Sequence, residues 1–268
     1  MNTAMILFFG MALATPGLVA AAPVCEAGSG ANTGALLELY TSEGCSSCPP
    51  ADKWFASLAA SPSGAGISQL AFHVDYWNDI GWPDRFAQHA FTVRQSQRVK
   101  TGGSSTIYTP QVMLSSRLDL RWYKPEQVKA ALAEVQTTPA KVSLHLRARP
   151  DNGAWQVDVA AEALAPLGPS SQLYLSLYEN ALRSEVKSGE NVGLTLHHER
   201  VVRGLWGPWP LPPPGTAHVL RVAPSKNSRV GQLGLTAFVQ DAISGETLQA
   251  LSLPLVPCAA ATANPPSP

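Results

Sequence analysis

The chain has 268 residues, of which 45% are hydrophobic and 14% are charged, so it is long enough to bury one large core or two ordinary ones. Nineteen basic residues balance nineteen acidic residues. This balance excludes the broad positive field that binding to nucleic acid or to an anionic membrane surface requires. We therefore expect a folded protein with no nucleic-acid partner.

The amino terminus has the pattern of a secretory signal peptide over residues 1–21. An apolar run begins at Met5, although no Lys or Arg precedes it, and small residues lead to a cleavage position after Ala21. The run is shorter than the ~20 apolar residues that a membrane-spanning helix needs. The sequence therefore predicts a secreted protein, located in the periplasm, with no stable membrane insertion after the signal is cleaved.

Strands and helices are predicted to alternate over residues 36–137, after a small, polar N-terminal tether at residues 22–35. Apolar periodicity places strands at 35–40 and 67–77, helices at 51–60, 84–100 and 124–135, and a hairpin at 111–122. The first strand is apolar apart from Glu38, which is typical of a strand buried on both faces. The predicted order of elements is βαβαββα.

The pattern changes over residues 138–258. Seven runs alternate apolar and polar residues with period two and are separated by clusters of Gly, Pro, Asn and Asp. This pattern predicts an all-β, sandwich-like domain. The last segment, residues 259–268, is rich in small residues and proline and is predicted to be a disordered tail.

The four cysteines carry the most informative chemistry. Cys45 and Cys48 lie at the start of the first predicted helix, where unpaired backbone N–H groups and the helix dipole stabilise a thiolate. Disulfides persist outside the cytoplasm, and four cysteines allow three pairings. Cys45 and Cys48 are close in sequence, whereas Cys25 and Cys258 lie near the two mature termini, so the simplest pairing joins Cys45 to Cys48 and Cys25 to Cys258. The first pair is a candidate redox centre, in which Cys45 attacks and Cys48 resolves. The second pair is a candidate structural disulfide.

Two other interpretations of the cysteine pair remain open. Zinc is disfavoured because the chain has no second C-x-x-C to complete a site. Exported copper carriers can use a cysteine pair with one histidine, so Cys45, Cys48 and His73 form an alternative Cu(I) site. In the other interpretation, the short disulfide only rigidifies the helix start of a non-catalytic binding protein.

The stretch DYWNDIGWPDRF, residues 75–86, is a second concentration of unusual residues. Trp77 and Trp82 lie near the end of the second predicted strand, which is where sheets of alternating strands and helices bind ligands. The two indoles either line a substrate-binding groove or form a small core beneath the loop.

The order of elements over about residues 34–137 resembles the thioredoxin fold. Thr109 and Pro110 directly precede a predicted strand, and Pro110 is a candidate cis-proline. In thioredoxins the corresponding corner lies beside the cysteines and helps to hold the partner strand. The resemblance therefore implies that Thr109 and Pro110 dock the substrate.

The same resemblance points to a candidate proton shuttle in the first strand. Thioredoxins carry a buried acid there, one position closer to the first cysteine than Glu38 is to Cys45. A carboxyl group buried at Glu38 would have a raised pKa and could accept the proton of Cys48. The offset matters, because one residue of slip in a strand turns a side chain to the opposite face.

Four motifs carry a second resemblance, which spans nearly the whole mature chain. They are ELYTSEGCSSCPPAD at 38–52, HVDYWNDIGWPDRF at 73–86, IYTPQV at 107–112 and ENVGLTLHHERVVR at 190–203. These motifs resemble the exported bacterial family known as DUF1223. The resemblance implies a fold and an exported location, and it implies no particular activity.

The predicted function is that of an exported thiol–disulfide oxidoreductase. Its partners are protein or small-molecule thiols and disulfides, and no cofactor is expected because the cysteine pair itself carries the electrons. The expected architecture is an α/β thioredoxin-like domain followed by the sandwich-like domain.

Overall fold

The computed structural model describes residues 24–59 and 66–256, so the predicted signal peptide, Cys258 and the predicted tail lie outside the described residues. The described part of the chain is β-rich, with 43% of its residues in strands and 18% in helices. The helices are α1 (Pro49–Ala59), α2 (His89–Thr101) and α3 (Pro125–Thr137). None of these helices has the length and apolar composition that spanning a membrane requires.

The strands are β1 (Cys25–Gly28), β2 (Ala35–Thr41), β3 (Ile67–His73), β4 (Gln111–Leu114), β5 (Val142–Asp151), β6 (Ala154–Ala163), β7 (Ser171–Glu179), β8 (Leu182–Glu185), β9 (Thr195–His198), β10 (Val201–Pro210), β11 (Gly215–Val222), β12 (Leu233–Asp241) and β13 (Thr247–Pro254).

A seven-stranded mixed sheet organises the chain, in the order β13-β12-β7-β10-β3-β2-β4. β2 and β3 are parallel, β4 is antiparallel to β2, and β10 joins β3 in parallel where Val201 pairs with Ala71. Strands from both predicted domains therefore belong to one sheet, which crosses the boundary predicted near residue 138. Periodicity within a strand predicts its buried face and does not predict its neighbours, so the sequence did not indicate this continuity.

Helices cover both faces of β2, β3 and β4. Leu37 and Leu39 of β2 pack with α1 and α3 in one apolar core, whereas Leu36 and Tyr40 pack on the opposite face beside α2. All residues of β2 and β3 are buried. This burial confirms the interpretation of β2 as a strand covered on both faces.

A further core lies between the seven-stranded sheet and a four-stranded sheet in the order β1-β5-β6-β11. Leu146 of β5 and Val157 of β6 belong to the same core as Leu175 of β7 and Leu235 of β12. Burial alternates along β5 and β6, as expected for strands with one face in a core.

Residues 22–35 were predicted to be a tether without regular structure, but they contain the strand β1. Cys25–Gly28 pairs antiparallel with β5, from Cys25 opposite Ala148 to Gly28 opposite His145. Small and polar residues carry little apolar periodicity, but their backbone groups can still complete the edge of a sheet. The sequence pattern therefore missed this strand.

The structure also corrects the ends of β3 and α2. β3 stops at His73, and residues 75–80 form consecutive turns instead of extending the strand. α2 begins at His89 and not at residue 84. The Asp84 carboxylate accepts the N–H of Phe86 at 2.8 Å, and such a local bond competes with the hydrogen bonds of a helix.

The hairpin predicted at residues 111–122 forms its first strand but not its second. β4 ends at Leu114, Ser115 takes a left-handed backbone conformation with φ of 52°, and a single bridge joins Leu114 to Arg117. The chain then leaves the sheet, apart from a bond from the Leu120 N–H back to β4. The observed order from β2 to α3 is therefore βαβαβα, which has one strand fewer than predicted.

Candidate active site

Cys45 and Cys48 form a disulfide immediately before α1, with their Cα atoms 5.5 Å apart. The N–H groups of Ala51 and Asp52 both donate to the Cys48 carbonyl, at 2.9 and 3.0 Å, so the helix begins directly after the pair. Two prolines occupy its first turn, where the backbone has no intrahelical donor to lose. The local sequence thus places both sulfurs at the positive end of the helix dipole, which stabilises a thiolate.

The Thr109–Pro110 peptide bond is cis, in agreement with the assignment of Pro110 as a candidate cis-proline. The Thr109 carbonyl oxygen lies 3.8 Å from Cys45 Sγ and accepts a hydrogen bond from Ser47 Oγ at 3.4 Å. Cys45 and Thr109 are 64 positions apart in the sequence, and the pairing of β4 with β2 brings them together. The proline corner and the cysteine pair therefore form one site. The role of this corner in docking a substrate stays a prediction.

Trp77 and Trp82 both lie against residues 42–48, the segment between β2 and α1 that is termed the cysteine loop. The Trp77 indole N–H donates to Thr109 Oγ1 at 2.8 Å, and the Trp82 indole N–H donates to Glu43 Oε2 at 2.8 Å. Gly44 suits the close passage of the loop over Trp77, because a Cβ at Gly44 would lie 3.3 Å from the Trp77 Cβ. The structure brings both predicted tryptophans to the site, and their contact with a substrate stays a prediction.

A loop from the second half of the chain covers the cysteine pair. Residues 186–194, termed the cap, join β8 to β9. The Asn191 side-chain amide donates to the carbonyl oxygens of Glu43 and Cys45, both at 2.9 Å. Sequence reasoning did not single out Asn191, and the available signal was its place in the motif at 190–203.

Glu190 adds a charged contact between the cap and the cysteine loop. Its Oε2 atom accepts the Ser46 backbone N–H at 3.0 Å, and hydrogen bonding from Ser46 lowers the pKa of the Glu190 carboxyl below its usual value. Cys45 and Cys48 are each 0% exposed, and the cap lies against the backbone of the segment that carries them.

Buried acids and histidines form a hydrogen-bonded cluster behind the cysteine loop. His73 Nδ1 lies 2.6 Å from Asp84 Oδ2, which also accepts the backbone N–H of Glu43 at 2.9 Å. His198 Nε2 lies 3.1 Å from Glu43 Oε1, and its ring packs edge-on against His73 with centroids 5.0 Å apart. The cluster thus links the end of β3, the turn after β2 and the end of β9.

Burial and neighbouring charges shift the pKa values in this cluster. Burial alone lowers the pKa of His73, but the charge and hydrogen bond of Asp84 outweigh it and raise the pKa. Burial alone raises the pKa of Asp84, but His73 outweighs it and lowers the pKa. Burial raises the pKa of Asp52, one turn after Cys48 on α1, more than His198 and His73 lower it. The contact with Asp84 therefore favours protonation of His73, and the Asp52 carboxyl is protonated more readily than one in water.

Replacing His73 with Asn is expected to change how the free energy of unfolding depends on pH. Protonated His73 stabilises the fold fully below its ordinary pKa of 6.5, and this contribution is lost as pH rises through its higher folded pKa. Ionised Asp84 stabilises the fold fully at pH values above its ordinary pKa of 3.8. This stabilisation is lost as pH falls through its lower pKa in the folded protein. The loss in His73→Asn should therefore be on the order of 3 kcal/mol near pH 5.5 and smaller near pH 9.

Urea unfolding of the wild type and of His73→Asn at several pH values measures this difference. The matched control is His89→Asn, because His89 is 79% exposed in its pair with Asp75 and should cost less than about 1 kcal/mol at any pH. An equal loss for His73→Asn at both ends of the pH range would contradict the ionised pair.

The structure does not support the alternative copper site. His73 directs Nδ1 to Asp84, while Cys45 and Cys48 are joined to each other. Over residues 24–59 and 66–256, no group of three or more His, Cys, Asp or Glu side chains is placed to hold a metal ion.

Glu38 has a different environment from the one predicted for a proton shuttle. It forms an ion pair with Arg94, lies 3.7 Å from Arg98 Nε and accepts a hydrogen bond from the Tyr40 hydroxyl at 2.7 Å. Burial alone raises the pKa of Glu38, but the charges of Arg94 and Arg98 outweigh it and lower the pKa. The predicted raised pKa was wrong. The offset by one residue puts Glu38 on the face of β2 that packs against α2, opposite the face covered by α1.

The predicted Cys25–Cys258 disulfide lies partly outside the described residues, because they end at residue 256. Cys25 is buried on β1, and its Sγ atom is 3.8 Å from the Pro254 carbonyl at the end of β13. The fold thus brings the start of the described chain close to its end. The pairing itself stays a prediction.

The fold and the site define a β-rich protein that carries a C-x-x-C disulfide at a helix start, beside a cis-proline and beneath a loop. A family model for DUF1223, described as a protein of unknown function, matches residues 36–240. The chain therefore belongs to the DUF1223 family. No curated protein matches it.

Solved structures similar to the chain include protein AGR_C_4864 from Agrobacterium tumefaciens, with a TM-score of 0.56 and 22% identity over 84% of this chain and 96% of that chain. HBP35 of Porphyromonas gingivalis is also similar, with a TM-score of 0.63 and 12% identity over 84% of this chain and 76% of that chain. At these identities the likeness concerns the fold.

Proposed function

We propose that this protein is an exported thiol–disulfide oxidoreductase whose N-terminal half has a thioredoxin-like layout. The observation that carries the proposal is the Cys45–Cys48 disulfide at the start of α1, with Cys45 Sγ 3.8 Å from the carbonyl of Thr109 next to cis-Pro110. The parallel β2–α1–β3 unit, the antiparallel β4 and the helices on both faces support this layout. Export is supported by the signal-like amino terminus and by the disulfide.

In the proposed reaction, two electrons pass from the Cys45–Cys48 dithiol to a substrate disulfide. The Cys45 thiolate attacks one substrate sulfur, which breaks the substrate S–S bond and releases the other sulfur as a thiol. Cys48 then attacks Cys45 in the mixed disulfide, which forms the Cys45–Cys48 bond and releases the second substrate thiol. The reverse sequence oxidises a substrate dithiol, and an external thiol or disulfide completes the cycle.

The proton of Cys48 needs an acceptor when this thiol resolves the mixed disulfide. Glu38 is paired with arginines on the other face of β2, whereas Asp52 lies on α1 one turn after Cys48. Burial raises the pKa of Asp52, so its carboxylate takes up a proton more readily than one in water. Asp52 therefore replaces Glu38 as the proposed proton acceptor.

The reduction potential of the mature protein tests this function. A redox-active pair should equilibrate with glutathione or dithiothreitol buffers at a potential above about −300 mV. The pKa of Cys45, obtained from the pH dependence of alkylation of the reduced protein, should lie below the ordinary thiol value of about 8.5. A potential well below −300 mV would overturn the proposal and would indicate a structural disulfide.

The burial of both cysteines favours one alternative, a non-catalytic binding protein with a structural disulfide. Both residues are 0% exposed, whereas a working thiol must be reached by its substrate. The potential separates the two functions. Repeating the measurement with Cu(I) also tests the copper alternative, which requires stoichiometric copper binding that is lost in Cys45→Ser.

A further inference from the structure

We propose that the cap occupies the docking position of an extended polypeptide substrate and must leave before that substrate reacts. This inference rests on the proposed oxidoreductase function and specifies its substrate class. It assigns Asn191 and Glu190 to the substrate-docking region as groups that compete with the substrate for the backbone around Cys45.

The hydrogen-bonding pattern beneath the cap carries the inference. The carbonyls of Glu43 and Cys45 accept from the Asn191 amide at 2.9 Å each, and the Ser46 N–H donates to Glu190 at 3.0 Å. The cysteine loop thus presents two acceptors and one donor to the cap. An extended polypeptide offers N–H donors and C=O acceptors along one edge, and it binds exposed backbone by this kind of pairing.

The cis-proline corner completes the docking region. Thr109 uses its carbonyl toward Ser47 and its hydroxyl toward Trp77, so its contacts fix the corner against the cysteine loop. A chain that lies across this corner and reaches the Cys45 backbone would meet the cap, because the Asn191 amide donates to the Cys45 main-chain carbonyl. In the proposed arrangement, cap and substrate therefore compete for this carbonyl.

Polar contacts hold the outer part of the cap, which favours its displacement. Val186, the first residue of the cap, is 2% exposed and anchors its base, whereas Val192 and Leu194 are 60% and 48% exposed and do not fix the outer part through a core. The cap meets the loop of residues 75–86 at Gly81 and Gly189, where a Cβ on Gly81 would lie 3.2 Å from the Gly189 Cα. A segment with few buried apolar contacts opens at low free-energy cost.

Opening should be promoted by Asn191→Ala, which removes both amide hydrogen bonds, and by Asn191→Asp, whose carboxylate cannot donate to either carbonyl. The matched control is Val192→Thr, a similarly shaped change in the cap at an exposed side chain. In the reduced proteins, the limiting rate of Cys45 alkylation by iodoacetamide at pH values above its pKa should rise about tenfold in both Asn191 variants. A tenfold change corresponds to about 1.4 kcal/mol in the free energy difference between the closed and open positions of the cap.

The second readout is exchange with a synthetic peptide that carries an intermolecular disulfide. The KM for this peptide should fall several-fold in Asn191→Ala and stay at the wild-type value in Val192→Thr, with the circular dichroism of all variants unchanged. Glutathione disulfide, which is too short to span the docking region, should show a smaller change in KM.

An unchanged alkylation rate in both Asn191 variants would overturn the inference, and so would a higher KM for the peptide in folded Asn191→Ala. In that second case Asn191 would position the cysteine loop and would not compete with the substrate. If the wild type and all variants fail to exchange with any disulfide, the oxidoreductase function fails. The alkylation rates would then still decide whether the cap closes the site.

Discussion

Cys45→Ser is expected to lower exchange between the protein and a substrate disulfide to the uncatalysed rate. A serine hydroxyl does not form the nucleophilic anion at neutral pH, whereas a thiol at a helix start does. Cys48→Ser should instead accumulate the mixed disulfide between Cys45 and the substrate, because the resolving thiol is absent. Mass spectrometry after mixing each reduced variant with a peptide disulfide distinguishes the two outcomes.

Cys25→Ser is the matched control for these substitutions, because it leaves the C-x-x-C pair intact. Its exchange rate per folded molecule should equal that of the wild type, even if its stability is lower. Full exchange activity in folded Cys45→Ser would contradict the proposed mechanism. A stable mixed disulfide on Cys48 in Cys45→Ser would reverse the roles of the two thiols.

Glu38→Gln is expected to destabilise the fold by about 3–5 kcal/mol, the cost of breaking a buried ion pair. The substitution leaves Arg94 and Arg98 without their shared carboxylate, and the Arg94 and Glu38 side chains are only 8% and 1% exposed. Arg94 also lies over the rings of Phe72 and Phe238, so its charge has little access to water. The free energy of unfolding of a typical protein is about 5–15 kcal/mol, so the expected loss is a large share of the total stability.

The matched control for this prediction is Glu134→Gln, which breaks an exposed ion pair with Arg117 and should cost less than about 1 kcal/mol. Chemical denaturation measures both losses. The pH dependence of Cys45 alkylation should be the same in Glu38→Gln as in the wild type, because Glu38 is a structural residue of the opposite face. A shifted alkylation profile with unchanged stability would restore Glu38 as the proton shuttle.

Elements with strong local patterns were predictable from the sequence. The apolar run of β2, the helical spacing in α3 and the period-two alternation of β5 and β6 each predict one element, because side-chain burial repeats with the geometry of that element. The start of α2 was not predictable from the local pattern. The Asp84 carboxylate accepts the backbone N–H groups of Phe86 and of the distant Glu43, which holds residues 84–86 outside the helix.

The candidate site was predictable in part. The cysteine pair and its place at a helix start follow from adjacent residues, and the Thr-Pro pair was recognised through the resemblance to thioredoxins. Sequence reasoning missed Asn191 and His198, which reach the cysteine loop across 146 and 155 positions. It also assigned Glu38 a raised pKa, because its partners Arg94 and Arg98 lie on another element.

The local elements and the C-x-x-C at the start of α1 follow from the sequence alone, because burial periodicity and helix-start chemistry depend on neighbouring residues. Contacts between distant segments place both halves of the chain in one sheet, the cap against the cysteine loop and Glu38 beside arginines. These features depend on strand order and on contacts between distant segments, and a pattern read along one segment does not contain the identity of its partners.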